Sequence, residues 1–199
     1  MNRALVIGED ALCCALGEKL IRSCVPHLNL DTSINKNGRT KLFPELPRLS
    51  GAATPERLVL CIADTDRDCA HIILNQVLPR KVPRTYVFRL AVTESESWAL
   101  ADREMFAKHF RIPVNRIPHQ TDPIQDPKHL VITLMRRSKN RIFREEMVSM
   151  RDPNKPGTGY NQHLEEFVRD HWRVTNACES SESLQRAVAR LQSLAHSRE

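Results

Sequence analysis

Acidic residues stand directly after three separate apolar runs in this chain, and their type suits metal-assisted chemistry. The runs cover residues 4–8, 58–63 and 86–92, and each contains Val or Ile. The acids that follow these runs are Glu9 and Asp10, then Asp64 and Asp66, then Glu94 and Glu96. Carboxylate oxygens are the ligands that Mg²⁺ and Mn²⁺ prefer. The pattern predicts a site for one of these ions if the three clusters meet in space.

The apolar runs explain why the acids should meet. Runs of this length are typical of strands buried on both faces of a parallel sheet. Ligand sites in such sheets lie beyond the carboxyl ends of the strands, where all three clusters would fall. We therefore expect Glu9, Asp64 and Asp66 to bind the ion. Glu94 or Glu96 would complete the set, and if both are helical they point roughly 200° apart, so only one should reach the ion.

Each acid also has a purely structural interpretation. Glu9 precedes a predicted helix and could simply favour its N-terminus through the helix dipole. Capping of a helix that begins near Asp68 would account for one of the two aspartates, but not for both. Glu94 and Glu96 could be ordinary acids of a first helical turn. The metal interpretation is the one that accounts for all three clusters together.

Other common phosphate-binding and nucleophile motifs are absent from the sequence. Gly8 is followed by Glu9-Asp10-Ala11-Leu12, so no GxGxxG loop follows the first strand, and neither a P-loop nor a GxSxG elbow occurs. Response-regulator receivers also collect acids at strand ends, but they need a lysine after a later strand. Here Arg80-Lys81 precedes a predicted strand.

The composition is that of a globular protein with a basic surface. Of 199 residues, 41% are hydrophobic and 27% charged, and the formal net charge of +6 favours a polyanionic partner. The six cysteines form no CxxC pair, so we expect reduced thiols in the core and no zinc site. No apolar stretch reaches the roughly 20 residues of a membrane span, and no signal-peptide pattern opens the sequence. We therefore expect a cytoplasmic location and no membrane partner.

The order of predicted elements indicates an α/β fold. Strands and helices alternate over the first 93 residues, which predicts a parallel sheet flanked by helices. A long basic loop with room for one helical turn is expected over residues 35–53, and a continuous helix over 94–110 with Asp102 on its surface. Helical segments then recur at 127–138, 140–149, 161–172 and 181–195. We place an α/β core in residues 1–110 and a helical extension packed on it in residues 111–199.

Basic residues crowd into one segment of this extension. They are Arg136, Arg137, Lys139 and Arg141, and Lys128 precedes them. Such residues bind the phosphate backbone of DNA or RNA without reading its sequence. The loop residues Lys36, Arg39 and Lys41 could add to this surface. The alternative is an ordinary solvated helix face.

The three acidic clusters also resemble a known group of domains. Glu9 after one strand, Asp64-Thr65-Asp66 after a second and Glu94 with Glu96 after a third resemble the Toprim fold of topoisomerases, primases and OLD-type nucleases. The stretch Glu94-Ser95-Glu96-Ser97-Trp98-Ala99-Leu100-Ala101-Asp102 is similar to a motif of small bacterial Toprim-like proteins. Asp126-Pro127-Lys128 and Gly159-Tyr160-Asn161 resemble later marks of that group. The chain departs from it at Asp10, where Gly is common, and at Thr93, where Arg is usual.

The resemblance implies a Toprim-like Rossmannoid sheet, a Mg²⁺ or Mn²⁺ cofactor and catalytic roles for Glu9, Asp64 and Asp66. Glu94 or Glu96 would be the further metal ligand. It implies a metal-dependent phosphodiesterase, a nuclease acting on DNA or RNA. Some relatives act beside an ATPase in antiphage defence or mobile-element systems.

Two other functions remain open at this point. The first is a catalytically silent Toprim-like subunit that senses nucleic acid or docks a partner ATPase. The second is a small-molecule phosphotransferase, which should prefer nucleotides over polymers. Homo-oligomerisation is also open.

Overall fold

The computed structural model describes residues 1–196 of the chain. The strands are β1 (Arg3–Gly8), β2 (Asn29–Leu30), β3 (Ile34–Asn35), β4 (Arg57–Asp64) and β5 (Tyr86–Ala91). The first six helices are α1 (Ala11–Cys24), α2 (Arg39–Leu42), α3 (Leu46–Ser50), α4 (Ala70–Val77), α5 (Ser95–Ala101) and α6 (Arg103–His109). The remaining helices are α7 (Pro127–Met135), α8 (Arg141–Glu146), α9 (Tyr160–Asp170), α10 (Val174–Ala177) and α11 (Glu182–His196). Short 3₁₀ segments cover Phe43–Glu45 and Val114–Arg116.

The sheet is parallel throughout the described residues and has the order β2-β1-β4-β5. The short strand β3 also pairs with β1, further along it than β2 does. Gly8 of β1 lies opposite Ile62 of β4, and Asp64 of β4 lies opposite Ala91 of β5. The three long strands therefore end at the same edge of the sheet. This confirms the predicted α/β fold with a parallel sheet flanked by helices; its Toprim-like character stays a prediction.

Helices cover both faces of the sheet, which is why the strands are apolar along their whole length. Successive side chains of a strand point to opposite faces. On one face Leu60 and Ile62 pack among α1 and later helices, while on the other Val59 and Cys61 pack towards the segment that holds α2, α3 and α4. Full burial of one such side chain contributes about 1.5–3 kcal/mol. The sheet is thus a rigid support for whatever follows its strands.

The helical segments after residue 110 share the larger of these two cores. Phe167 of α9 and Leu191 of α11 belong to the same buried cluster as Leu60 of β4. Trp98 and Trp172 are fully buried, as expected for core residues, and the indole N–H of Trp172 donates to the Trp98 carbonyl at 3.0 Å. The extension therefore packs directly on the sheet core. The boundary at residue 110 itself stays a prediction.

The structure differs from the expected elements in two places. The segment 35–53 was expected as a loop, but most of it is helical, in α2, a 3₁₀ turn and α3. The helix expected over residues 94–110 is divided into α5 and α6 at Asp102, and Asp102 is buried rather than on the surface. The reason for the break is that Asp102 caps α6, accepting a bond from the Met105 N–H at 3.4 Å, and pairs with Arg173 at 2.8 Å.

Most of the cysteines lie in the core of the protein. All six cysteines are free thiols, and Cys13, Cys14, Cys24 and Cys61 are buried. This confirms that most of them act as core residues. Across residues 1–196, the helices are too short or too polar for any of them to cross a membrane.

Candidate functional site

The ends of β1 and β4 bring Glu9 and Asp64 together. The Glu9 N–H continues the sheet by donating to the Ile62 carbonyl at 2.9 Å. This places the Glu9 carboxylate beside the end of β4, where one oxygen accepts the Asp64 N–H at 3.2 Å. Burial raises the pKa of Glu9, and the neighbouring Asp66 and Asp10 carboxylates raise it further. The hydrogen bond from the Asp64 N–H lowers this pKa but does not cancel the rise.

Asp64 is the last residue of β4, and its carboxylate lies in the interior. The residue is only 7% exposed. One carboxylate oxygen accepts the backbone N–H of Ser95 at 2.8 Å and faces the Cys13 thiol, whose Sγ lies 3.7 Å away. Burial raises the pKa of Asp64 well above its usual range, and repulsion from Glu96 and Asp10 adds to the shift. The charged form of Asp64 is therefore disfavoured unless a proton or a cation neutralises it.

Glu96, in the first turn of α5, is 2% exposed, and its charge acts on Asp64. One of its oxygens accepts the Tyr160 hydroxyl at 3.1 Å and lies 3.5 Å from the Lys128 ammonium. The second oxygen is buried and has no hydrogen-bond partner among residues 1–196. Burial raises the pKa of Glu96, although Lys128 opposes the shift. A buried carboxylate oxygen without a partner is rare, and a proton, an ordered water or an ion would satisfy it.

Lys128 enters the site from the start of α7. Asp126 caps that helix by accepting the His129 N–H at 2.8 Å, and Pro127 occupies its first position. The Lys128 backbone N–H then donates to Glu94 at 2.9 Å, while its side chain reaches Glu96. Burial disfavours the ammonium, but Glu96, Glu94 and Asp64 outweigh burial and raise the pKa of Lys128. We call Glu9, Asp64, Glu94 and Glu96, together with Lys128, the acidic cluster.

Asp66 is placed differently from Asp64. Its backbone is left-handed, with φ of 49°, and its N–H donates to the Thr93 carbonyl at 3.0 Å. Its side chain is 51% exposed and pairs with Arg39 at 3.4 Å. The structure therefore places Glu9 against Asp64, links Glu94 and Glu96 through Lys128, and leaves Asp66 at the rim, beside Arg39. The role of Asp66 as a metal ligand stays a prediction.

The acidic cluster offers carboxylate oxygens, which are the ligands that hard divalent cations prefer. Two of its acids, Asp64 and Glu96, are buried and have raised pKa values. Lys128 is the one cation that contacts Glu96 among the described residues. In the arrangement of residues 1–196, however, no group of three His, Cys, Asp or Glu side chains is set to hold a metal ion. The expected Mg²⁺ or Mn²⁺ thus stays a prediction.

The residues predicted to bind nucleic acid lie in two different settings. Lys128 belongs to the acidic cluster. Arg136, Arg137 and Lys139 are exposed beyond the C-terminal end of α7 and form no ion pair within residues 1–196, whereas Arg141 pairs with Glu145 at 2.7 Å. Eight residues separate Lys128 from Arg136, which corresponds to about 12 Å along a helix axis. Of the loop residues, Lys36 forms an ion pair with Glu45, and Arg39 forms ion pairs with Asp66 and Asp68.

The sequence did not predict which residues hold the acids in place, although Tyr160 and Lys128 stood out in it for other reasons. Cys13, the Ser95 N–H and the Tyr160 hydroxyl all contact the buried carboxylates. Tyr160 lies 64 positions from Glu96 in the chain, so no local pattern reveals the contact. The sequence did offer one indication for Lys128. A lysine is unfavourable in the first turn of a helix, where acids are preferred, so its presence there indicates a negatively charged neighbour.

The chain gives no match in comparisons with known proteins: no family model, no curated protein and no solved structure matches it. The Toprim resemblance therefore rests on the quoted motifs alone.

Proposed function

We propose that the protein is a Mg²⁺- or Mn²⁺-dependent phosphodiesterase that cleaves DNA or RNA at the acidic cluster. The observation that supports the proposal is that Asp64 and Glu96 are both buried, with one Glu96 oxygen unpartnered among residues 1–196, and that the charge of Glu96 acts against that of Asp64. Two buried carboxylates that repel each other are costly unless a cation or a proton neutralises them. A divalent ion would supply charge neutralisation and activation of water in phosphoryl transfer.

Within this proposal, the residues of the cluster have separate tasks. Asp64 and Glu96 would hold the ion, with Glu9 or Glu94 beside them. Glu9 is partly exposed, and burial raises its pKa, which suits a group that accepts a proton from an attacking water. Asp66 and Arg39 lie at the rim, where Arg39 would contact a phosphate.

The basic residues at the far end of α7 would hold the nucleic-acid backbone. Arg136, Arg137 and Lys139 are exposed and free of ion pairs among the described residues. Contacts of this kind give affinity without sequence preference. They favour a polymer over a small nucleotide as substrate, which distinguishes this function from a phosphotransferase.

The test is cleavage of labelled single- and double-stranded DNA and RNA in Mn²⁺ or Mg²⁺ by the wild type, Asp64→Asn and Asp66→Asn. We expect metal-dependent cleavage by the wild type. Asp64→Asn should reduce it by a factor of 100 or more, on the order expected for a lost electrostatic contact to the transition state. Asp66→Asn should have a clearly smaller effect because its side chain lies at the rim.

Circular dichroism of each variant would establish that it is folded. Cleavage that survives Asp64→Asn unchanged would remove the acidic cluster from the mechanism. Equal losses in both variants would place Asp66 in the metal site after all.

A second function is favoured by one specific observation. Lys128 already lies 3.5 Å from Glu96 and supplies a positive charge to the cluster. A catalytically silent subunit that senses nucleic acid or docks a partner ATPase would need no more than this internal compensation. Folded wild type that binds nucleic acid but cleaves none of the four substrates in either metal would favour that function.

A further inference from the structure

β5 forms an edge of the sheet whose outer side carries no strand among the described residues. The Thr85 and Ala91 carbonyls accept bonds from Val59 and Thr65 on the β4 side, at 2.9 and 3.1 Å. In a parallel ladder, alternate residues bond to the same neighbour. Phe88 and Leu90 therefore direct their N–H and C=O groups outwards, away from β4. These are the groups that another extended chain would pair with.

A groove of about 410 Å³ runs along this free edge. One wall is apolar and contains Ala70 and Leu74 of α4, and the other contains Glu182 and Arg186 of α11. Phe88 and Leu90 pack with the α4 side, in the smaller core of the protein. Since side chains alternate along a strand, Arg89 lies on the α11 side.

Arg89 is a half-buried guanidinium without a counter-charge. Its Nε is buried and unpartnered, and one terminal nitrogen donates to the Phe88 carbonyl at 3.2 Å. No carboxylate within residues 1–196 forms an ion pair with it. Burial lowers the pKa of Arg89, and the nearby Arg190 adds to the effect.

The two acids that line the groove are already engaged. Asp122 accepts bonds from the Ser181 hydroxyl at 2.6 Å and from the Ser183 N–H at 2.7 Å. Glu182 pairs with Arg186 at 2.6 Å. Neither of them neutralises Arg89, so the groove combines free strand-edge groups, an apolar wall and one uncompensated cation.

We propose that this groove binds an extended segment of a partner protein, which adds to β5 as a strand and places an acidic side chain on Arg89 between two apolar residues. The outward N–H groups of Phe88 and Leu90 and the outward C=O of Leu90 account for an extended backbone, whereas the Phe88 C=O already accepts a bond from Arg89. The alternation follows from the two walls: residues facing α4 are apolar, and the residue facing α11 is acidic. A second copy of this chain fits less well, because pairing β5 with β5 would bring two uncompensated Arg89 side chains to one interface.

The test uses two fluorescein-labelled pools of heptapeptides. Both carry Val or Ile at positions three and five and randomised outer residues, but position four is Glu in one pool and Gln in the other. Fluorescence polarisation would follow binding to the wild type, to Arg89→Met and to Ala70→Glu, which places a like charge on the apolar wall. Hydrogen exchange would follow the amides of Phe88 and Leu90.

We expect the Glu pool to bind the wild type about tenfold more tightly than the Gln pool, as a charge-assisted contact predicts. Arg89→Met should abolish that preference, Ala70→Glu should weaken binding of the Glu pool, and the amides of Phe88 and Leu90 should exchange more slowly in the complex. Ala70→Glu decides the matter if Arg89→Met does not fold.

Equal binding of the two pools, or no binding up to roughly 1 mM, would overturn the proposal. So would a wild-type dimer in light scattering that dissociates in Ala70→Glu, because it would assign the groove to a second copy. None of these results bears on cleavage at the acidic cluster, so the two proposals succeed or fail separately.

Discussion

The carboxylate of Asp64 lies in surroundings that disfavour its charge. It is buried, the charges of Glu96, Asp10 and Glu9 act against it, and Lys128 and the Ser95 N–H act in its favour. An asparagine has the same shape, and its side-chain oxygen can still accept the Ser95 N–H. Without metal, Asp64→Asn should therefore raise the free energy of unfolding by about 1–2 kcal/mol, since an incompletely paired buried charge costs several kcal/mol. Urea denaturation in EDTA measures this.

The pH dependence of the free energy of unfolding tests the same effect of Asp64. The pKa of Asp64 is raised above the ordinary value of 3.8, so the folded state binds more protons than the unfolded state between the two values. Stability of the wild type should therefore fall as pH rises from 3.8 through the raised pKa, and this part of the dependence should vanish in Asp64→Asn. The matched control is Asp66→Asn, at an exposed position where asparagine tolerates the left-handed backbone, with an expected change within about 0.5 kcal/mol. A less stable Asp64→Asn protein would contradict the argument.

At the scale of elements, the join between α5 and α6 depends on one ion pair between buried Asp102 and partly exposed Arg173. Asp102 is 1% exposed and accepts three bonds from Arg173, through the backbone N–H, Nε and one terminal nitrogen, at 2.9, 2.9 and 2.8 Å. It also caps α6. The pair connects Asp102, between α5 and α6, with Arg173, which directly precedes α10. A buried carboxylate with this many donors is a structural tie rather than a surface charge.

Asp102→Ala should lower the free energy of unfolding by about 2–3 kcal/mol, because it removes a helix cap and the charge-assisted bonds from Arg173, whose 40% exposed side chain water can then solvate. Glu104→Ala is the matched control. Glu104 also pairs with Arg173, at 3.5 Å, but its side chain is 78% exposed, so its loss should cost less than about 1 kcal/mol. Chemical denaturation of the two variants measures the difference. Similar losses would mean that Asp102 is not the tie between these helices.

For the molecule as a whole, the sheet could be predicted because its signal is local. The strands β1, β4 and β5 are short apolar runs between turn-forming residues, and their burial on both faces removes the alternation of an exposed strand. The division at Asp102 could not be predicted, because it depends on Arg173, 71 positions away. The helical turns within residues 35–53 were obscured by Pro44, Pro47 and Gly51, which are turn formers in sequence but lie within or beside short helices here.

The candidate site likewise has a part that could be predicted from the sequence and a part that could not. That acids would follow the strands could be inferred from the chain, because strand ends and acidic residues are both visible in it. Which acids face inwards could not, since the left-handed backbone of Asp66 and its contact with Arg39 depend on how α2 packs. Lys128 and Tyr160 reach Glu96 from α7 and α9, through tertiary contacts that have no local pattern.

The net charge of +6 becomes informative once its distribution is known. Arg136 and Arg137 are exposed at the C-terminal end of α7 and lack acidic partners within the described chain. If they contact phosphates, each contributes about 0.9 to the slope of log K against log salt concentration for duplex DNA. Arg136→Gln/Arg137→Gln should therefore bind a 20-base-pair duplex more weakly, with a slope shallower by about 1.8. Titrations between about 50 and 200 mM salt, in EDTA to prevent cleavage, measure this slope.

The control for this prediction loses the same charge elsewhere. Arg80 and Lys81 are exposed between α4 and β5 and, in the described residues, form no ion pair. Arg80→Gln/Lys81→Gln changes the net charge by the same two units, so it reports the effect of overall charge alone. Because screening limits distant charges to about a Debye length of 8–10 Å, that pair should leave the slope nearly unchanged. Equal slopes for both variants would mean that the segment around Arg136 is an ordinary solvated surface and that nucleic acid, if bound, lies elsewhere.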